Sequence, residues 1–312
     1  MRLNRTIAIL AAFPVVLGFA AAPVSAATKL KFGYSAASAF SSAFVAADQG
    51  IFTKHGLDVE MVLVPNSSTT PAALVSDSLQ IATPTAPVTL QAIENGLDLV
   101  ILTGAGITVK GATDAAVLSR EGSNIKVAKD FEGKKLGTPG LNGFLHVLFR
   151  EWMTRNGADW KKTVFVESSF AQLGDVLKGG QVDGILTADP FKTRVLEAKQ
   201  GYVVSNYVGE IGDGIASGWF VSSRKWATTN KEAAAAFQKA INEAADLGNK
   251  DPSILRKAIG VYTKLPEAVL AQVVLPVLEA SMPDSKVNDW SKMCVAQGLT
   301  KRPSDPGRIV WK

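Results

Sequence analysis

The fold is set by a short segment, KFGYS at residues 31–35, which returns in altered form as KLGTP at residues 135–139. Leu74 and Pro87 return at nearly the same spacing, as Leu177 and Pro190. This period is far longer than the repeat of a solenoid protein, so each copy is expected to form a lobe and not one turn of an array. The sequence therefore predicts a clamp of two similar lobes.

Strands and helices alternate within each copy. The predicted strands are residues 30–35, 57–64, 81–82 and 97–103 in the first copy and residues 134–138, 164–167 and 182–186 in the second. Helical apolar spacing follows most of them. This alternation is typical of an α/β fold in which each lobe has a mostly parallel sheet flanked by helices.

Two glycine-rich linkers flank the second copy. One runs from Gly104 to about Glu121 and the other from Gly209 to Gly218. Paired linkers of this kind predict a hinge made of two crossovers between the lobes. The alternative is that these glycines only form turns.

The first 26 residues are predicted to be a Sec-type signal peptide. Arg2 and Arg5 precede an apolar run from Ile7 to Ala22, and small residues stand before an expected cleavage after Ala26. The run is short for a membrane helix, which needs about 20 apolar residues. The mature protein is therefore expected in the periplasm.

These features divide the chain into four parts. We predict a signal peptide at residues 1–26, the first part of lobe 1 at 27–110, lobe 2 at 111–208, and a return crossover at 209–312 that completes lobe 1 with C-terminal helices.

Composition excludes some classes of protein. The chain has 312 residues, of which 47% are hydrophobic, and this is ample for a large core. Lys and Arg form no block along the chain, so nucleic acid is not an expected partner. Cys294 is the only cysteine, which excludes an intramolecular disulfide and is typical of a small buried thiol.

Polar residues follow the predicted strands in both copies. In open parallel sheets, ligands bind beyond the carboxyl ends of the strands. Facing lobes would bring both sets to one cleft, although the same residue types also cap helices and form turns. The predicted ligand-binding residues are Ser35, Ser38, Asn66, Ser67, Thr85, Thr138, Asn142 and Asp189.

Asp189 and His146 each have two alternative roles. Asp189 would repel a purely anionic ligand unless it caps the helix after Pro190, and capping is the preferred role. It could instead meet an ammonium or N–H group on the ligand. His146 follows Asn142 and could face the cleft, with a structural role preferred.

Catalytic and cofactor motifs are missing from the sequence. It has no paired-cysteine zinc spacing, no HExxH, no P-loop and no G-x-S-x-G elbow. We therefore expect no catalytic residue, no metal and no cofactor.

One stretch resembles a known family. AADQGIFTKHGLDVE at residues 46–60, together with GYS at 33–35, resembles the periplasmic substrate-binding proteins of nitrate, sulfonate and taurine-type ABC importers. These share their fold with thiamine-precursor binding proteins. FEGKKLG at 131–137 and the segment from VDG at 182–184 to Asp189-Pro190 are similar to the second lobe of that family.

The resemblance implies a two-lobed type II periplasmic-binding fold and a monomer that delivers a small solute to an inner-membrane ABC permease. It implies a small anionic solute such as a sulfonate, nitrate, taurine or a small carboxylate. A glycine-rich segment of many relatives is replaced here by PNSSTTP at residues 65–71, so a small heterocycle also stays open.

Two other functions use the same scaffold. Related folds serve a dehydratase and pyrimidine-forming enzymes, but these work in the cytoplasm, against the predicted export. A periplasmic sensing subunit of a membrane signalling system is the other alternative.

Overall fold

The computed structural model describes residues 27–312, so the predicted signal peptide lies outside the described residues. The strands are β1 (Thr28–Tyr34), β2 (Leu57–Leu63), β3 (Ile81–Ala82), β4 (Leu99–Gly104), β5 (Gly106–Ile107), β6 (Ala115–Arg120), β7 (Lys135–Thr138), β8 (Val164–Glu167), β9 (Gly184–Ala188), β10 (Gly201–Ser205), β11 (Trp219–Ser223) and β12 (Val277–Leu278).

Helices surround these strands. They are α1 (Ser41–Asp48), α2 (Ile51–Lys54), α3 (Thr70–Val75), α4 (Ala86–Glu94), α5 (Phe144–Arg155), α6 (Phe170–Lys178), α7 (Phe191–Glu197), α8 (Tyr207–Ile211), α9 (Arg224–Thr229), α10 (Lys231–Lys250), α11 (Pro252–Thr263), α12 (Glu267–Gln272), α13 (Asp284–Ala296) and α14 (Pro306–Ile309).

Two five-stranded sheets form the two lobes. The first lobe has the order β2-β1-β3-β11-β4 and the second has the order β8-β7-β9-β6-β10. In each sheet one strand, β11 or β6, runs antiparallel to its two neighbours. The predicted α/β fold with two mostly parallel sheets flanked by helices is confirmed.

The repeated glycine lies on the second strand of each sheet. Gly33 pairs with Val62 and Ala82, and Gly137 pairs in the same way with Val166 and Ile185. A Cβ at Gly33 would lie 2.4 Å from Cδ1 of Leu79, and one at Gly137 would lie 2.9 Å from Cδ2 of Leu173. In both lobes, therefore, a leucine packs directly on the strand where the glycine leaves room.

The last part of the chain packs on the first lobe. Helices α10 and α11 contact α1, and α13 contacts α4. Phe237 of α10 is fully buried, and its ring centroid lies 5.8 Å from that of Phe32 and 5.7 Å from that of Phe220. Each buried aromatic ring of this kind contributes several kcal/mol to stability, on the order of 3–5 kcal/mol by alanine substitution.

The two crossovers pair with each other. Thr108 N–H donates to Ile215 O at 2.8 Å, and Gly111 N–H donates to Gly209 O at 2.9 Å. The first linker is shorter than predicted, because residues 115–120, directly before Glu121, form strand β6. Its backbone groups pair with β9 and β10, which the local sequence does not reveal.

Helix length and composition also bear on membrane insertion. Within residues 27–312, no helix combines the length and the apolar character that crossing a membrane requires.

The packing of Leu79 on Gly33 can be tested by a double-mutant cycle. Gly33→Ala should lower the free energy of unfolding by about 1–3 kcal/mol because the new methyl group overpacks the contact. Leu79→Ala alone should cost about 2–5 kcal/mol. The double variant should lose less than the sum, because the methyl group fills part of the space that the leucine leaves.

Urea denaturation would measure all three values. Val164→Ala is the control, since Val164 is 57% exposed and should change stability by no more than about 0.5 kcal/mol. Additivity of the two changes would contradict the proposed contact.

Candidate functional site

A cavity of about 60 Å³ lies between the lobes. One water molecule needs roughly 10–15 Å³ of such space, so the cavity has room for roughly four to six water molecules or for one small solute. Its wall includes residues from the loops that follow strands of both sheets. These are Ser35 after β1, Pro65 after β2, Thr85 after β3, Pro139 after β7 and Phe170 after β8.

Four of the predicted ligand-binding residues line this cavity. They are Ser35, Ser38, Ser67 and Thr85, all from the first lobe. The Thr85 hydroxyl is buried and finds no hydrogen-bond partner within residues 27–312. Thr85 also stands at the start of α4 without capping it through its side chain. Its hydroxyl is therefore free to bind a ligand.

The other four predicted residues, Asn66, Thr138, Asn142 and Asp189, do not line the cavity. Thr138 is fully buried, and its hydroxyl turns towards Gly140 O at 3.4 Å. Asn142 has a φ of 56° and accepts a hydrogen bond from Nη2 of Arg150 at 2.8 Å. Asn66 has a buried side-chain oxygen beside the cavity-lining Ser67. The second lobe instead contributes backbone at Pro139, Gly140 and Gly143.

Asp189 is fully engaged by the protein. Its Oδ1 accepts hydrogen bonds from the backbone N–H and the hydroxyl of Thr193 at 3.0 and 2.7 Å, so it caps α7. Its Oδ2 lies 3.2 Å from Nζ of Lys192 and accepts a hydrogen bond from Val274 N–H at 3.2 Å. The preferred capping role agrees with this geometry, and no oxygen of Asp189 faces the cavity.

Contacts between the lobes close the cavity on several sides. Ser38 N–H donates to the backbone oxygen of Asp189 at 3.1 Å, and the Ser68 hydroxyl donates to Oε1 of Glu167 at 3.0 Å. The Gln91 amide donates to Asn142 O at 3.3 Å. The structure therefore represents a closed arrangement of the two lobes.

Two glycines of the second lobe allow this close approach. A Cβ at Gly140 would lie 3.2 Å from Oγ of Ser67, and a Cβ at Gly143 would lie 3.4 Å from Oγ1 of Thr85. Any larger residue would meet the candidate hydroxyls of the first lobe. The hydroxyl groups and the glycine backbone thus face each other across the cavity.

Most of the apolar wall and its one charged residue could not be identified from the sequence. Phe40, Phe144 and Phe170 line the cavity but are indistinguishable from core residues by spacing alone. Asp114 is the one ionisable side chain among the described lining residues. Burial raises the pKa of its carboxyl and the negative charge of Asp189 raises it further, while a hydrogen bond from its own backbone N–H and the charge of Lys192 lower it.

His146 and Cys294 lie away from the cavity lining. His146 is buried, with Nε2 accepting a hydrogen bond from Nε of Arg150 at 3.0 Å. Burial, together with the charge of Arg150, lowers the pKa of His146 to about 3. Burial raises the pKa of the Cys294 thiol to about 12, with a further rise from Glu94. Neither residue can act as a base or nucleophile on a bound molecule.

Acidic, histidine and cysteine side chains are the groups that could hold a metal ion. Over residues 27–312, no three such side chains lie close enough together to hold a metal ion.

Comparisons with known proteins agree with this architecture. The model of the family described as NMT1/THI5 like matches residues 37–254. A putative thiamine biosynthesis protein of Haemophilus influenzae is 27% identical over 144 residues, which cover 46% of this chain and 44% of that protein. The match therefore spans less than half of that relative.

Solved structures match over more of the chain. The alkanesulfonate-binding protein SsuA of Xanthomonas axonopodis pv. citri, bound to MOPS, has a TM-score of 0.76 and 20% identity, covering 91% of this chain and 98% of that one. The periplasmic nitrate-binding protein NrtA of Synechocystis PCC 6803 has a TM-score of 0.77 and 16% identity, with coverages of 90% and 84%. At these identities the likeness shows a common fold.

The contact between Gly140 and Ser67 predicts an effect on closure. Gly140→Ala should shift the equilibrium towards the open form by about 1 kcal/mol, roughly fivefold, because the methyl group meets Oγ of Ser67. Ser67→Ala in the same chain should largely reverse this shift. Small-angle X-ray scattering would measure it as a larger radius of gyration for the single variant. An equal radius for Gly140→Ala and for the unchanged protein would contradict the prediction.

The Cys294 thiol should be inert in the folded protein. With a pKa of about 12, almost none of it is thiolate at pH 8, and it is also fully buried. Ellman's reagent should react slowly with the native protein and fully in 8 M urea, at about one thiol per chain. Ser76→Cys is the control, because position 76 is exposed and should react at once. Fast reaction of native Cys294 would contradict its placement in α13.

Proposed function

Since this chain belongs to the NMT1/THI5-like family, we propose that it is the extracytoplasmic solute-binding component of an ABC importer. In this role it captures one small solute between its two lobes and delivers it to an inner-membrane permease. Export to the periplasm and a monomeric state are part of the same proposal, and export rests on the sequence of residues 1–26.

The enclosed cavity is the observation that carries this proposal. It lies at the carboxyl ends of parallel strands, where ligands of open α/β sheets bind. Hydroxyl groups of Ser67 and Thr85 stand on one side of it, and backbone of Gly140 and Gly143 stands on the other. Groups of these kinds can replace the hydration shell of a small solute.

Capture would follow from hinge motion at the paired crossovers. When the lobes separate, the contacts of Ser38 with Asp189 and of Ser68 with Glu167 break and solute can enter. Closure then surrounds the solute and restores these contacts. The permease would recognise the closed form, because only in that form are the surfaces of the two lobes held in one relative position.

The lining supports binding more strongly than catalysis. An acyl- or proton-transfer site needs a nucleophile and a base within hydrogen-bond reach of each other. The described lining has serine and threonine hydroxyls and one carboxylate, and the buried residues His146 and Cys294 are not part of it. We therefore propose that the solute leaves chemically unchanged.

The relatives and the cavity lining indicate the class of solute. Relatives named for alkanesulfonate and nitrate favour a solute rich in hydrogen-bond acceptors. The starts of α4 and α5 offer backbone N–H groups to an acidic group. No lysine, arginine or histidine is among the described lining residues, however, and a bare anion would face the carboxylate of Asp114. The proposal is therefore limited to a small, acceptor-bearing solute.

A thermal-shift screen tests the function. The panel should contain nitrate, ethanesulfonate, taurine, small carboxylates, small amines and aminopyrimidines. A solute at 100 times its Kd should stabilise the fold by about 2.7 kcal/mol. Mass spectrometry should recover that solute unchanged. Chemical turnover, or the absence of any shift across the panel, would contradict the proposal.

Thr85, directly before α4, and Thr89, within it, provide a matched pair of variants. Thr85→Val should weaken solute binding by about tenfold and leave the free protein as stable or more stable, because its buried hydroxyl has no partner to lose. Thr89→Val is the control, since the Thr89 hydroxyl donates to Thr85 O at 3.0 Å and does not line the cavity. It should lower stability slightly and leave the affinity unchanged. Titration calorimetry and thermal unfolding separate the two effects.

A further inference from the structure

The proposed function leaves one cavity-lining carboxylate without a role. Asp114 stands at the end of the first crossover, directly before β6, and lines the cavity. Its backbone oxygen accepts a hydrogen bond from Asp189 N–H at 2.7 Å, which fixes its position beside the buried Asp189. Asp114 is partly buried, and its carboxylate accepts a hydrogen bond from its own backbone N–H but from no other residue in the described chain.

Lys192, the cation that acts on Asp114, is already paired with Asp189. Lys192 is buried, its Nζ lies 3.2 Å from Oδ2 of Asp189, and it also donates to the backbone oxygen of Thr113. Asp189 and Lys192 therefore form a satisfied pair. With Asp114 added, the three groups carry one uncompensated negative charge at the cavity wall.

The surroundings of Asp114 make this charge costly. Phe40, Phe144 and Phe170 contribute aromatic rings to the same cavity. A carboxylate taken out of water needs an opposite charge or several hydrogen-bond donors to remain ionised. Within the described lining, the protein supplies no cation to provide that compensation.

We propose that Asp114 binds a positively charged nitrogen of the solute, which is therefore a small amine or amidine on a compact, largely apolar body. This inference rests on the proposed solute-binding function and names the feature by which the cavity selects. The cation neutralises the net negative charge of Asp114, Asp189 and Lys192. The apolar body of the solute packs against the aromatic rings of the cavity wall. Nitrate and sulfonates without an amine lack the group that Asp114 requires.

The pairing makes solute affinity depend on pH. Asp189 and Lys192 are the charged groups that act on Asp114, and burial with Asp189 raises the pKa of the Asp114 carboxyl. A cation binds the ionised carboxylate, so binding releases the proton that Asp114 carries below its pKa. The affinity for an amine should therefore rise with pH through the pKa of Asp114, until the amine itself loses its proton.

Matched pairs of probes test the inference by calorimetry. Each pair differs only in amine against hydroxyl: taurine with isethionate, propylamine with propanol, and an aminomethyl-pyrimidine with its hydroxymethyl analogue. At least one amine should bind about tenfold or more tightly than its alcohol partner. Asp114→Asn, which keeps the shape, should abolish that preference and its pH dependence. Asp175→Asn, at an exposed position of α6, is the control and should preserve both.

The outcomes separate this inference from the proposed function. Equal binding of both members of every pair, or binding of nitrate or ethanesulfonate alone, would overturn the amine inference and leave the solute-binding function standing. Failure of every probe and every panel solute would overturn both. Thermal unfolding without solute adds an independent readout: Asp114→Asn should raise the melting temperature more above the pKa of the Asp114 carboxyl than below it, because burial raises that pKa and the substitution removes the ionised carboxylate. No such difference would also contradict the inference.

Discussion

Each sheet is completed by one antiparallel strand that the chain reaches only by crossing from the other lobe. β6 enters the second sheet as the chain leaves the first lobe, and β11 enters the first sheet after the second is finished. Without that strand the neighbouring backbone groups would be unpaired in the core, at about 1–3 kcal/mol for each group. Both sheets thus depend on both crossovers, which are themselves hydrogen-bonded to each other. The two lobes are therefore joined through this pair of crossovers.

The architecture could be predicted from the sequence because its main signals are local. The glycine of KFGYS and of KLGTP stands at equivalent places in the two sheets, and in each a leucine packs on it. The alternation of strands and helices follows from apolar spacing. Strand β6 escaped prediction because its partners, β9 and β10, lie more than sixty residues later in the chain. The local sequence does not distinguish Ala115–Arg120 from the glycine-rich linker before it. Its pairing with β9 and β10 is what makes this segment a strand.

The candidate site was predictable in its position and less so in its members. Ser35, Ser38, Ser67 and Thr85 line the cavity as strand-end residues, in agreement with the general rule for open sheets. The sequence favoured a capping role for Asp189 and offered contact with an ammonium group only as its alternative. Hydrogen bonds from Thr193 and from the distant Val274 occupy Asp189, and in the proposed binding mode Asp114 meets the ammonium group instead. Sequence spacing cannot distinguish two acidic residues whose partners are set by tertiary structure.

The bridges that Asp189 makes to the first lobe have a consequence for selectivity. Its carboxylate and its backbone oxygen receive N–H groups from Val274 and Ser38, two segments far apart in the chain. In the proposed capture, none of these atoms belongs to the solute, so the bridges favour closure by the same amount whatever the solute is. Discrimination among similar compounds depends only on differences in free energy between them. It must therefore arise at the cavity wall, while the bridges raise the affinity for all of them alike.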